Sequence, residues 1–182
     1  MRGKSHICIG KYLVEHYLPE TSNAEKQAFL LGCLEPDRNP FTYLKGSFRY
    51  QWLRGHNYRN ARRFMRRISS RLEQKENWNL YDYYTLGKLI HYTTDAFTYA
   101  HNDSFPTELS DHREYEAALQ EHFLNFMAKD PQVNVTMARN VMDILSGFHR
   151  SYEQQSANIH TDSWFALTAC CCVLAVLITK PI

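Results

Sequence analysis

The chain has 182 residues, 44% of them hydrophobic and 22% charged, the composition of one globular domain with a substantial core. A formal net charge of +2 excludes a strong overall pull on nucleic acid or membrane, so the distribution of charge matters more than its sum. Five cysteines, with Cys170, Cys171 and Cys172 adjacent and no C-x-x-C pair, exclude a disulfide framework and a thiolate zinc knuckle. They read as packed thiols in a reducing compartment.

In chain order, MRGKSHICIGKYLVEHYL lacks the continuous apolar run of a signal peptide. It reads as an amphipathic helix from about Ser5 to Leu18, stopped by Pro19. A cytoplasmic protein with some association at a membrane is the expectation. His6 stands at the start of this helix. Residues 21–23, TSN, supply an N-cap for a second helix, AEKQAFLLGCL, which ends where the two prolines of EPDRNP force a loop. Asp37 follows Pro36 in that loop. A carboxylate on a stiff turn is placed for a metal, and the plainer reading is a turn aspartate.

FTYLKGSFRYQWLRGHNYRN is aromatic and irregular, broken at Gly46 and Gly55, with His56 next. A basic helix follows, with Arg59, Arg62, Arg63, Arg66 and Arg67 on two adjacent ridges and Arg54 and Arg71 at its ends. Its plain reading is a solvated face. Its functional reading is a surface that draws a phosphate-bearing substrate or anionic lipid. It lacks the interleaved aromatics of a stacking groove, so nucleic acid is not an expected partner.

Asn79 caps the next helix, Leu80 to about Ala100, which carries His91 and Asp95. The run Tyr81-Asp82-Tyr83-Tyr84 reads as core packing rather than a cage for a choline head group. Ser110 or Asp111 caps a helix from His112 to about Ala128. NVTMARNVMDILSGFHRSYEQQ makes another, and an apolar run from Trp164 to Thr179 closes the chain. That run is shorter than the roughly 20 residues that span a bilayer, so a core helix is expected rather than an anchor. No alternating pattern suggests strands. The expected fold is all-α, a single domain over residues 1–182, with about six to seven helices and a metal cluster inside the bundle.

The stretch from His91 to Glu116 concentrates groups that bind metal. His91 with Asp95, and His112 with Glu116, stand four apart, on one face of a helix and one turn from each other. His101 falls at the turn between the two pairs, where it can lean back across the gap. Imidazole plus carboxylate at this spacing, repeated on two helices, suits zinc. A carboxylate at Asp95 on a mostly apolar helix is costly unless paired or metal-bound. His16, His122, His149 and His160 fit no ligand pattern and read as surface or ordinary core residues.

The full series, His6, Asp37, His56, His91, Asp95, His101, His112 and Glu116, resembles the zinc-dependent phospholipase C family, whose fold is shared with single-strand-specific zinc nucleases. The matching segments are SH at 5–6, PD at 36–37, GH at 55–56, HYTTD at 91–95, AHN at 100–102 and HREYE at 112–116. The resemblance implies zinc, two to three ions per chain. Asp37, His56, His91 and Asp95 would hold one, His101, His112 and Glu116 a second, and His6 with Asp95 a third, Asp95 bridging. Asp37 also resembles the family's proposed base. In the family the backbone amine and carbonyl of a mature N-terminal tryptophan complete the third site. Here Met1 stands five residues before His6, and a third ion is expected to bind weakly, with water, or not at all.

The implied function is a zinc-dependent phosphodiester hydrolase, phospholipase C-like, that cleaves a phosphoester or phospholipid with an activated water. A peripheral membrane contact goes with such a substrate. The alternatives are a nuclease-like phosphodiesterase and a non-catalytic metal-binding or membrane-associated module.

Overall fold

Capping residues set where most of the helices begin. The computed structural model describes residues 1–39, 41, 56–102 and 109–179, with the side chains of residues 109–111 outside the description. Among the described residues there are seven α-helices and no strand. α1 spans Gly3–Tyr17, α2 Asn23–Arg38, α3 Tyr58–Glu73 and α4 Leu80–Ala96. α5 spans Leu109–Met127, α6 Val141–Glu153 and α7 Ile159–Ile178, and a 3-10 turn at Tyr99–His101 follows α4. Ser22 and Glu25 close a reciprocal capping box on α2, and Asn79 with Asp82 does the same on α4. Asn140 and Asn158 accept backbone N–H groups at the starts of α6 and α7.

Five boundaries differ from the sequence reading. α7 begins at Ile159 rather than Trp164, capped by Asn158, and at 20 residues it is not shorter than a bilayer span. α2 does not stop at Pro36 but runs through it to Arg38, so Asp37 lies on a helical turn rather than in a loop. Proline inside a helix forfeits one N–H bond, here to the Gly32 carbonyl, and the burial of Pro36 offsets that loss. α4 ends at Ala96, and His101 is carried by the 3-10 turn. α5 begins at Leu109, which puts Ser110 and Asp111 inside its first turn instead of at its cap. α6 begins only at Val141, because the segment before it is drawn alongside α7, where the Thr136 N–H donates to Cys172 Sγ at 3.3 Å. Arg54 and the aromatic stretch before His56 lie outside the described residues.

The apolar α7 is the central element. Residues 166–175 are all buried, and the helix packs on α1, α4, α5 and α6. It is long and apolar enough to cross a membrane, and most of that apolar run lies inside the bundle. Cys170, Cys171 and Cys172 are free, buried thiols within it. α2 and α4 cross most closely, where Gly32 and Gly87 face each other. A Cβ on Gly32 would overlap the Tyr84 carbonyl, and one on Gly87 the Phe29 carbonyl. The tyrosine run at 81–84 does not form a cage. Tyr81 is exposed under the Arg71 guanidinium, Tyr84 lies under the Lys88 ammonium, and Tyr83 packs edge-on against Trp78. Asp82, between them, is buried and paired to Arg71 and, at 2.8 Å, to Lys75, which ties α3 to α4.

A further buried carboxylate escaped the sequence reading. Asp162, in the first turn of α7, accepts from Tyr152 Oη of α6 at 2.6 Å, from Tyr115 Oη of α5 at 2.8 Å and from the Tyr99 N–H at 2.8 Å. It therefore pins three elements to α7, two of which carry His101 and Glu116. Asp162→Ala leaves these donors without their acceptor and should cost about 2–4 kcal/mol, read as a lowered midpoint in thermal unfolding. Burial pushes this carboxyl up to about 6 in spite of its hydrogen bonds. Its contribution to stability is then full below the unfolded value of about 4 and is lost as the pH rises through 6. Asp162→Asn, which cannot ionise, should gain on the wild type across that window.

Candidate metal centre

α4 supplies the two groups at the centre. His91 and Asp95 are one turn apart on its buried face and neither is exposed. Asp95 collects groups from three other parts of the chain and from its own helix. Its Oδ1 lies 3.3 Å from His6 Nε2 and 3.2 Å from His101 Nδ1, and its Oδ2 lies 3.1 Å from both His56 Nδ1 and His91 Nε2. Asp37, on the last turn of α2, faces the same space from the other side. Its carboxylate stands 3.7 Å from His91, 3.8 Å from His56 and 3.9 Å from His6. On α5, His112 Nε2 lies 3.6 Å from Glu116 Oε1 across one turn, and His101 Nε2 approaches the same oxygen at 3.6 Å. All eight residues singled out in the sequence thus converge.

They form three sets whose donor atoms lie within 4.8 Å of one another: His6, His91 and Asp95; Asp37, His56 and His91; and His101, His112 and Glu116. The first two share His91. His101 connects them to the third, with one ring nitrogen toward Asp95 and the other toward Glu116.

Orientation of the imidazoles follows from their outer partners. His91 Nδ1 lies 2.9 Å from the Cys33 carbonyl oxygen, which can only accept, so Nδ1 carries the proton and donates. Burial pushes the His91 pKa down to about 4, with His6 adding to the shift and Asp95 opposing it, so the ring is neutral at pH 7. Nε2 then presents a lone pair toward Asp95 Oδ2 and Asp37 Oδ1, with His56 Nδ1 beside it at 3.3 Å. Burial likewise lowers the pKa values of His6 and His101, against the pull of Asp95. His6 stacks on His91 with ring centroids 3.8 Å apart, and its buried Nδ1 has no hydrogen-bond partner among the described residues. Tyr92, fully buried, packs edge-on against both His56 and His91.

The carboxylates are pushed in opposite directions. Burial would raise Asp95, but His101, the Met1 amine, His91 and His6 hold it well below the usual carboxylate range. Glu116 is also held low, by the Met1 amine and its histidine neighbours against burial. Asp37 is raised by burial and by the charge of Asp95, with His91 opposing.

Met1, not among the residues singled out as donors, reaches the same space. Its amine lies 2.6 Å from Asp95 Oδ1, 3.0 Å from Glu116 Oε1 and 3.3 Å from His101 Nδ1. Its carbonyl oxygen lies 3.0 Å from His6 Nε2. Burial lowers the amine's pKa, and Asp95, Glu116 and Asp37 outweigh burial to bring it to about 10. The Met1 amine and carbonyl thus stand among the same side chains.

Neutral imidazoles and ionised carboxylates converging in a buried space are the donor set of a zinc site, and the lone pair of His91 facing carboxylate oxygens fits a cation between them. Searches of curated proteins and of solved structures returned no match. The description zinc dependent phospholipase C belongs to a family model that matches residues 5–169. All eight convergent side chains lie inside that stretch, and the chain belongs to the zinc dependent phospholipase C family.

Proposed function

We propose that this protein is a phospholipase C-like phosphodiester hydrolase that holds two to three zinc ions in the space bounded by Asp95, Asp37 and Glu116. The observation that carries this reading is His91, whose donor bond to the Cys33 carbonyl leaves Nε2 as a lone pair 3.1 Å from Asp95 Oδ2. Two acceptors at that distance repel, a cation between them relieves the repulsion, and His56 Nδ1, 3.3 Å from Nε2 and 3.1 Å from Oδ2, stands as a further ligand atom beside them. Zinc held there supplies Lewis acidity toward the phosphate oxygens and lowers the pKa of a nearby water.

The chain's own groups divide the remaining work. Asp95 is the permanent anion, fully buried and held below the usual carboxylate range. Asp37, with its side chain 22% exposed and its pKa raised, accepts the proton of the attacking water at a carboxylate oxygen. His6, His91 and His101, which burial favours as neutral rings, would bind together with His56 and His112, and Glu116 serves the set on α5. The amine and carbonyl of Met1 complete the set around His6. In the reaction the phosphorus–oxygen bond to the glyceride breaks, the oxygen of water bonds to phosphorus, and a proton ends on the glyceride oxygen. The products are a diglyceride and a phosphorylated head group.

Metal analysis and turnover test this together. The purified chain should carry two or three zinc ions and hydrolyse a phosphatidylcholine analogue faster than single-stranded DNA. Chelation should abolish turnover and zinc should restore it. A chain without zinc, or turnover that survives chelation, overturns the reading. Zinc present with neither substrate cleaved favours a non-catalytic metal-binding module.

A further inference from the structure

Next to the metal centre, between α3 and α6, lies a cavity of about 490 Å3. His101 forms part of its wall while its ring nitrogens point toward Asp95 and Glu116. A molecule held at the metal centre therefore has this cavity beside it. The described wall carries three guanidinium groups, Arg59 and Arg62 from α3 and Arg150 from α6. Arg59 and Arg62 are three apart and share a helix face. Among the described residues of the wall, one carboxylate stands against them, Glu153, which lies 3.5 Å from His149 Nδ1.

The rest of the wall is fixed in place. His149 stacks on Tyr58 with ring centroids 3.7 Å apart, so one aromatic face is already taken. His149 Nε2 donates to Asn102 Oδ1 at 2.9 Å, and the Asn102 amide donates to the Ala96 and Thr98 carbonyls. The cavity wall and the turn that carries His101 are thus one hydrogen-bonded unit. A quaternary ammonium group is recognised by open aromatic faces and carboxylates. Three arginines converging on one cavity repel it and suit a phosphate, which guanidinium groups hold with paired, charge-assisted bonds.

We propose that this cavity is the head-group subsite, and that it takes a head group bearing a second phosphate besides the scissile diester. The proposal rests on the phosphodiester-hydrolase reading and narrows its substrate to a phosphorylated, polyanionic lipid. The same chemistry could be offered by a soluble phosphorylated diester, and the test separates the two. A nucleic-acid strand also carries neighbouring phosphates, but of the aromatic rings in the described wall Tyr58 and His149 already stack on each other and His101 is turned toward Asp95 and Glu116.

The test uses the zinc-loaded full chain and substrates with short acyl chains, below their micellar concentrations, so that attraction to a membrane plays no part. Dihexanoyl phosphatidylinositol 4-phosphate should exceed dihexanoyl phosphatidylcholine in kcat/KM by about tenfold or more, the worth of a charge-assisted contact. The double variant Arg62→Gln, Arg150→Gln should reduce that ratio about tenfold, whereas Arg66→Gln, Arg67→Gln, on α3 but outside the cavity wall, should leave it in place. A ratio of one or less, or an equal loss in both double variants, overturns the proposal. So does faster turnover of single-stranded DNA than of either lipid. Equal preference with the deacylated diester, glycerophosphoinositol 4-phosphate, keeps the subsite and assigns it a soluble source. If no substrate is turned over, the hydrolase reading fails separately, and calorimetric binding of inositol 1,4-bisphosphate decides. Binding that is lost in Arg62→Gln, Arg150→Gln supports the subsite, and no binding to the wild type overturns it.

Discussion

Asp95→Asn should leave purification depleted of zinc and with hydrolase activity reduced by more than about 100-fold, beyond the loss expected from an outer hydrogen-bond partner of a ligand. Among the described residues, Asp95 is the one group that faces four histidines and the Met1 amine at once. Asparagine keeps the shape but removes the charge that holds these groups together. Its amide N–H also points donors at the space where a cation would sit. Zinc per chain, measured on the purified variant, is the direct check. Thermal unfolding with and without chelator is the second. The wild type should lose stability on chelation, because a metal that binds only the folded state stabilises it. The variant should lose little. A variant that retains full zinc would remove Asp95 from the ligand set and with it the bridging role.

Gly87→Ala should lower the thermal midpoint by roughly 10 °C, the consequence of about 3–5 kcal/mol in a domain of this size. The cause is one methyl group at the closest helix crossing. A Cβ at Gly87 would overlap the Phe29 carbonyl and stand 2.8 Å from the Cys33 amide nitrogen, and neither backbone can rotate away as a side chain could. α2 and α4 must then separate. The crossing lies one turn before His91 and Asp37, so separation also draws Asp37 and the Cys33 carbonyl away from the centre. Gly147→Ala is the matched control, since a Cβ there meets nothing within 4 Å. Circular dichroism melts of the two variants should differ widely. An unchanged Gly87→Ala midpoint would show that the crossing is not the constraint that seats the site.

How much of the centre was legible in the sequence depends on the distance along the chain over which each relation acts. His91 with Asp95, and His112 with Glu116, are pairs within one helix, and the helical repeat alone places them together. His101 at the turn required only that α4 end near it. The capping asparagine at position 79 was equally readable, because a cap is a local hydrogen bond. Pro36 misled for the converse reason. Its local preference is to end a helix, and tertiary burial overrode that preference.

Asp162 and His149 were not legible. Asp162 is joined to residues 47 and 63 positions away, and His149 to one 47 positions away. In the sequence, an aspartate in the first turn of an apolar helix is an ordinary feature of a helix start. The signal available was that so apolar a helix must be buried, and that a buried carboxylate needs donors. His149 stands four residues before Glu153 on α6, but no other donor joins that pair, among the described residues, to the metal sets, and only the approach of α6 to α3 gives His149 and Arg150 a cavity.

The sequence by itself determined the helical class and the family to which the chain belongs, and it singled out the eight side chains that converge, because these rest on helical periodicity and on residue chemistry. Only the tertiary structure decided which donors share a space. It placed Met1 against Asp95 and Glu116, turned the lone pair of His91 toward two carboxylates, and set three arginines around a cavity beside His101. The reason is physical. Helical spacing acts over one turn, whereas the centre is closed by the α2–α4 crossing and by α7, contacts made between residues far apart in the chain.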